Sequence, residues 1–196
     1  MNGPTYLTLF RISLAPLWAT LFYLYGNTEP PSLILLIALW VLFVVSELSD
    51  IIDGVWARRT KQITDLGKVM DPFADVVSRL TAFYMLSTVE MIPFWVFLIL
   101  MYRELGAIFI RLLFIKQGFA MPAGLGGKVK AWFYFLTILV ALMLFSAETW
   151  DAAFVRLLWM DLVLYVLIGL SLAMSLYSFG TYLKAYIKYQ KKSEKN

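Results

Sequence analysis

Six stretches of this chain, roughly 7 to 25, 33 to 53, 68 to 88, 93 to 115, 128 to 147 and 160 to 182, run predominantly apolar for about the 20 residues that a helix needs to cross a bilayer. Each predicts a transmembrane helix. Short polar connections separate them, among them Gly26-Asn27-Thr28-Glu29-Pro30-Pro31 and Ser87-Thr88-Val89-Glu90-Met91-Ile92-Pro93, whose Gly, Asn and Pro residues favour turns. These two connections carry Glu29 and Glu90 but no Lys or Arg. Basic residues collect elsewhere: Arg58, Arg59, Lys61 and Lys68 after the second span, Lys116, Lys128 and Lys130 after the fourth, and Lys184 to Lys195 in the tail. The positive-inside rule therefore predicts a multi-pass protein of the cell (inner) membrane with both termini and both basic loops in the cytoplasm.

The connection from Ala147 to Leu158 holds Glu148, Asp151 and Arg156, a balance that favours the outside, and it has room for a short interfacial helix. The first span lacks a basic leader and a small-residue cleavage site and contains Arg11, so it is predicted to be a retained helix. No repeat or linker divides the sequence, which predicts one domain over residues 1–196.

Composition narrows the chemistry. The 196 residues are 61% apolar and 15% charged, with a mean hydropathy of +0.76, far too oily for an ordinary soluble domain. The chain has no cysteine and no histidine, which excludes disulfides, thiolate and imidazole chemistry and ordinary zinc sites. Topology accounts for the surplus of Lys and Arg, and no nucleic-acid partner is predicted.

Against that background four aspartates stand out. Asp50 and Asp53 lie three apart near the end of the second span, and Asp71 and Asp75 four apart near the start of the third. Each spacing puts both carboxylates on one helix face. A charged group at bilayer depth costs roughly 2.5 to 3.5 kcal/mol on insertion scales, so something must neutralise them. Two antiparallel helices would bring the four together, shallow with shallow and deep with deep, as hard oxygen ligands for one or two divalent cations such as Mg²⁺. Two carboxylates 4 Å apart repel by about 4 kcal/mol at an effective dielectric of 20; protonation of some of them is the alternative to cations. Asp65, by contrast, reads as a solvated residue at a helix end.

The fourth span supplies charge of the opposite sign. Arg103 and Arg111 are eight residues apart, about 80° round a helix, so both can face one cavity at two heights, with Glu104 beside them. Lys128 and Lys130 enter from the start of the fifth span. Buried charges in a membrane helix mark a functional site by default, and this cationic group predicts an anionic acceptor, most simply one carrying its own phosphate.

The full pattern Asp50-x-x-Asp53-Gly54-x-x-Ala57-Arg58, eight residues, then Gly67-x-x-x-Asp71-x-x-x-Asp75 resembles the signature of the CDP-alcohol phosphotransferase family at every fixed position. The resemblance implies an all-α integral membrane fold of six transmembrane helices around a cytoplasm-facing polar cavity, usually a homodimer, and displacement of CMP from a CDP-linked substrate by an alcohol. It implies that Asp50, Asp53, Asp71 and Asp75 hold two metal ions, Mg²⁺ with Mn²⁺ as second candidate, and that Asp75 is also the general base. It further implies that Gly54, Ala57 and Gly67 line the cytidine site and that Arg58 contacts phosphate. Small residues let a flat base approach the backbone, and the guanidinium fork matches phosphate geometry.

The run Arg103-Glu104, Arg111-Leu112-Leu113, Gln117-Gly118 and Gly127-Lys128-x-Lys130, with the opening Leu7-Thr8-Leu9-Phe10-Arg11-Ile12 through Pro16, is similar to the branch that uses CDP-diacylglycerol and sn-glycerol 3-phosphate to form phosphatidylglycerophosphate. Arg103, Arg111, Lys128 and Lys130 are then the expected acceptor-binding residues. One position departs from that branch: Val76 stands where it usually has Lys, and Arg79 follows one turn beyond Asp75. Inositol phosphate, serine and choline-phosphate transfer to diacylglycerol are the alternative acceptor chemistries. An intramembrane prenyltransferase and a cation transporter are the rival classes. The nucleotide part of a CDP-lipid must reach the cavity while its tails stay in the membrane, so a lateral opening between helices is expected.

Overall fold

The six apolar stretches emerge as six helices: α1 (Gly3–Gly26), α2 (Leu33–Thr60), α3 (Asp65–Thr88), α4 (Phe94–Lys116), α5 (Leu125–Thr149) and α6 (Leu158–Ser193). The computed structural model describes the backbone of residues 3–60, 65–116, 125–149 and 158–193; within these ranges the side chains of 3–5, 7, 51, 53–60, 65–69, 116, 125, 149, 158, 192 and 193 are not described. The interfacial helix considered between the fifth and sixth spans and the Gln117-Gly118 pair fall outside the described residues.

Among the described residues, three helices are long and apolar enough to cross a bilayer on length and composition, through Leu33–Asp50, Gly126–Glu148 and Trp159–Lys191. The chain is an all-helical membrane protein. α3 and α4 interrupt their apolar runs with charge, Asp71, Asp75 and Arg79 on one and Arg103, Glu104 and Arg111 on the other. Two helices outrun the apolar stretches that predict them: α2 continues to Thr60 and α6 to Ser193. Hydropathy marks where lipid ends, whereas a helix continues as long as its backbone bonds and side contacts hold. At 1.5 Å per residue, α6 is about 54 Å long, well beyond a hydrocarbon core of about 30 Å. Its last turns are braced by Phe114 of α4, whose ring meets Tyr186 and Tyr189 at 5.5 and 5.7 Å.

Sequence chemistry also sets the helix ends. Ser32 caps α2, its Oγ accepting from the Leu35 amide at 3.4 Å. α3 ends with Glu90 at φ 60°, the Met91 amide donating to the Leu86 carbonyl at 3.1 Å and the Glu90 amide to the Ser87 carbonyl at 3.3 Å. This is a left-handed termination of the Schellman type, and it turns the chain directly into α4.

α3 lies at the centre, packing on α1, α4 and α5, while α1 also packs on α2 and α6 packs on α4 and α5. The core away from the charged end is aliphatic and aromatic: Trp18, Phe22 and Tyr25 from α1, Phe83 and Leu86 from α3, Val96 and Leu100 from α4, Ile138, Leu142 and Phe145 from α5. The buried face of α6 follows a helical stripe, Leu164, Ile168, Ser171, Ser175, Ser178 and Tyr182, which changes from apolar to hydroxyl-bearing along its length. Small residues on such a stripe let helices approach closely. At Gly106 of α4 an added Cβ would stand 3.1 Å from the Phe179 ring of α6.

A glutamate in the left-handed region carries a steric cost of about 1–2 kcal/mol that glycine avoids, partly offset by glycine's greater loss of backbone freedom. Glu90→Gly is therefore expected to stabilise the fold by up to about 1 kcal/mol, seen as a higher thermal midpoint in detergent; a lower midpoint contradicts this account of the turn.

Candidate active site

The chemistry-bearing ends of the six helices gather at one end of the bundle, where Thr8 and Arg11 of α1, Asp50 of α2 and Asp71 and Asp75 of α3 meet. Arg11 is buried at 3% side-chain exposure, and its Nη1 donates to Asp50 Oδ1 and, at 2.5 Å, to Asp75 Oδ1. Thr8 Oγ1 donates to Asp71 Oδ1 at 2.6 Å. Helical periodicity puts Thr8 and Arg11 on one face of α1, and the packing of α1 on both α2 and α3 delivers that face to the carboxylates. The three described motif aspartates thus converge although α2 and α3 are joined by a segment outside the described residues. Asp53, Gly54, Ala57, Arg58 and Gly67 lie in the α2 and α3 backbones, and their side chains are outside the described residues.

A cavity of about 340 Å³ opens beside this cluster. Asp50, Asp71, Asp75 and Arg79 contribute to one wall, and Arg103, Glu104, Arg111, Lys128 and Lys130 to the other. On α3 the residues Asp71, Asp75 and Arg79, and on α4 Arg103, Ala107 and Arg111, each follow an i, i+4, i+8 row, so one helix face supplies each wall. All four residues predicted to bind the acceptor line this space.

The cationic wall is held together by Glu104. Its Oε1 accepts from Arg103 Nη1 at 2.7 Å, Lys130 Nζ at 2.7 Å and the Tyr134 hydroxyl at 2.8 Å, with both Arg103 and Glu104 buried. Arg103 Nε also donates to the Ser175 carbonyl at 2.8 Å, and Tyr134 and Ser175 share a hydroxyl hydrogen bond of 2.7 Å. Glu104 therefore ties α4 to α5, and Arg103 and Tyr134 carry the network on to Ser175 of α6. Arg111 donates to the Tyr182 hydroxyl at 2.8 Å and lies over the same ring at 5.3 Å, a cation–π contact.

Several of these participants were given no site role by the sequence: Thr8 and Arg11 on α1, which entered only as a charge in the first span and as part of the opening resemblance, Tyr134 on α5, and Ser175 and Tyr182 on α6. The available signal was polarity at helical spacing within apolar stretches, the pair 8/11 and the trio 175/178/182. A lone hydroxyl or arginine in such a stretch carries no address until its partner helix is known.

Among the described residues no group of three or more acidic side chains forms a ready metal cage, the fourth motif aspartate, Asp53, lying outside them. The donor chemistry fits a divalent cation all the same. Asp50 and Asp75 direct one oxygen each at a single cationic nitrogen, and Asp71 lines the same cavity.

Carboxylates from two helices, opposed across a polar cavity by guanidinium and ammonium groups inside a membrane bundle, define a membrane-embedded site for an anionic substrate. Residues 1–177 match the family model described as CDP-alcohol phosphatidyltransferase, and the chain belongs to that family of membrane-bound transferases of phospholipid biosynthesis. It is 30% identical over 173 residues to a CDP-diacylglycerol–glycerol-3-phosphate 3-phosphatidyltransferase of Treponema pallidum, covering 86% of this chain and 77% of that protein. Proteins of the same name from Aquifex aeolicus (33% identity over 165 residues, 81% of this chain and 83% of that protein) and Bacillus subtilis (27% over 148 residues, 72% and 77%) are also similar.

Removing the carboxylate charge of Glu104 leaves Arg103 and Lys130 buried without compensation, a change that typically costs about 3–5 kcal/mol. Glu104→Gln should therefore lower the thermal midpoint markedly, and adding Lys130→Met should recover part of the loss. Additive losses in the double variant would show that the two side chains are not coupled.

Proposed function

We propose that this chain transfers the phosphatidyl group of CDP-diacylglycerol to sn-glycerol 3-phosphate and releases CMP. The observation that carries this reading is the cavity whose aspartate wall, Asp50, Asp71 and Asp75, faces the cationic wall of Arg103, Arg111, Lys128 and Lys130. The aspartates suit a metal-bound pyrophosphate, and the cations that border the same cavity suit an acceptor with a phosphate of its own. The names carried by the relatives above support the same pair of substrates.

Asp50, Asp53, Asp71 and Asp75 would hold two Mg²⁺ ions. When bound, the cations supply positive charge that offsets the charge developing on departing CMP. The chain's own residues do the rest. The acceptor hydroxyl oxygen bonds to the phosphatidyl phosphorus, the bond to the CMP oxygen breaks, and the hydroxyl proton passes to a carboxylate oxygen of Asp75. Arg11, donating to Asp75 and Asp50, holds the Asp75 carboxylate in place. Gly54, Ala57 and Gly67 would line the cytidine site, and Arg58 would contact phosphate.

Access follows from the packing. A second, largely apolar groove of about 550 Å³ lies between α2 and α5, lined by Trp40, Phe43, Leu48, Trp132 and Phe135 among others, and it meets the first cavity at Asp50, Arg79 and Lys128. Lipid tails in this groove would leave the nucleotide at the aspartates. All six helices span the inner membrane in this reading, and the basic loops put the cavity and both termini on the cytoplasmic side, where the soluble acceptor enters. The lysine-rich end of α6 rests on anionic lipid, and the protein works as a homodimer.

Purified protein with radiolabelled CDP-diacylglycerol and glycerol 3-phosphate is expected to release CMP only when Mg²⁺ or Mn²⁺ is present. Catalysis that survives complete chelation would overturn the metal assignment, and turnover with serine or inositol phosphate in place of glycerol 3-phosphate would overturn the acceptor. Asp75→Asn should reduce turnover by at least about 100-fold while CDP-lipid binding persists; a wild-type rate in this variant excludes Asp75 as the base. Arg111→Ala should raise KM for glycerol 3-phosphate more than KM for CDP-diacylglycerol.

A further inference from the structure

Five cationic side chains line the polar cavity, and the structure separates them by what they already hold. Arg103 and Lys130 share Glu104, and Arg111 is engaged by Tyr182. Lys128 is exposed at the rim, shared with the apolar groove. Arg79 differs from all of these. It is half-buried on α3, it borders the polar cavity, the apolar groove and a small inner pocket at once, and among the described residues it makes no hydrogen bond or ion pair. Glu47 of α2 borders the groove and the inner pocket with it; the charges of Glu47 and Asp75 act on Arg79 across space, but neither carboxylate is in ion-pair contact with it. A guanidinium inside a membrane bundle gains from an anion in direct contact, and its planar fork is suited to phosphate. Arg103 adds a second open donor, since its Nη2 is buried without a hydrogen-bond partner.

We propose that Arg79, placed one turn beyond Asp75 at the junction of the cavities, grips the phosphate of the soluble acceptor and so selects a short alcohol phosphate over the free alcohol. The inference rests on the reading of the reaction given above and deepens it. Four residues along α3 separate Asp75 from Arg79, about 6 Å of helix rise. A phosphate held by Arg79 therefore sets a hydroxyl at the far end of a three-carbon chain near the Asp75 carboxylate. A longer or bulkier acceptor would not bridge the same two groups. Val76, buried and lining the same cavity, makes no competing polar contact on that wall.

Comparing glycerol 3-phosphate with glycerol, the same alcohol without its phosphate, tests this directly. Arg79→Gln should lower kcat/KM for glycerol 3-phosphate by about 10- to 100-fold, the loss of one charged hydrogen-bonding partner, chiefly through KM. The low turnover of glycerol and the KM for CDP-diacylglycerol should stay within about twofold, so the preference for the phosphorylated acceptor collapses. Val76→Lys in the Arg79→Gln background should restore part of that preference by returning a cation to the same wall. Equal losses for both acceptors would assign Arg79 a structural role and overturn the proposal, as would an unchanged preference. If Arg79→Gln fails to assemble, Arg79→Lys carries the test: it keeps the charge, and loss of the fork should raise KM for glycerol 3-phosphate several-fold with glycerol unaffected. A wild-type protein that used neither acceptor would instead overturn the reaction itself, leaving the two failures distinct.

Discussion

Charge that has left water must meet charge of the opposite sign, and the working end of this bundle is arranged around that constraint. Arg11 lies between Asp50 and Asp75, and Glu104 between Arg103 and Lys130. Neither cluster would persist in a membrane protein with one partner missing, because an unpaired buried ion costs far more than an apolar residue in its place. The first cluster ties α1 to α2 and α3, and the second ties α4 to α5 and, through Tyr134 and Ser175, to α6. The two halves of the bundle are thus each closed by a network of ions, and the cavity is the space left between them.

The rest of the fold serves that placement. Aromatic and aliphatic packing from Phe22, Phe83, Leu100 and Phe145 fills the opposite end. The α6 stripe changes from Leu164 and Ile168 to serines and Tyr182 as it nears the cavity. The small side chains permit close packing, and their hydroxyls satisfy Thr137, Tyr134 and, through Tyr182, Arg111. A stripe that stayed apolar would leave those groups unsatisfied at a depth where water is scarce.

The two walls also differ in the sign of the charge they leave unmatched. The cationic wall sets four cations against one carboxylate: Glu104 holds Arg103 and Lys130, while Arg111 rests on the neutral Tyr182 hydroxyl and Lys128 is exposed, so positive charge remains for an anion. On the aspartate wall Arg11 sits against Asp50 and Asp75, Arg79 borders the same cavity and Asp71 is held by a neutral hydroxyl, which leaves three carboxylates against two guanidinium groups among the described residues. Opposed charges on two walls of one cavity give family membership a physical content for this chain.

Much of the architecture and the core of the site could be read from the chain. Apolar length located six helices to within a few residues at most ends, and i, i+3 and i, i+4 spacing put the aspartates, and Arg103 with Arg111, on single faces. These are local properties, set by helical periodicity and by the exclusion of charge from lipid. The chain could not show that Arg11, 39 and 64 residues from its partners, closes the acidic cluster, that Glu104 joins α4 to α5 through Lys130 and Tyr134, or that Arg79 has no ion pair in contact among the described residues. Those facts depend on which helix faces meet, and meeting faces are chosen by the packing of the whole bundle, so only the tertiary structure decided them.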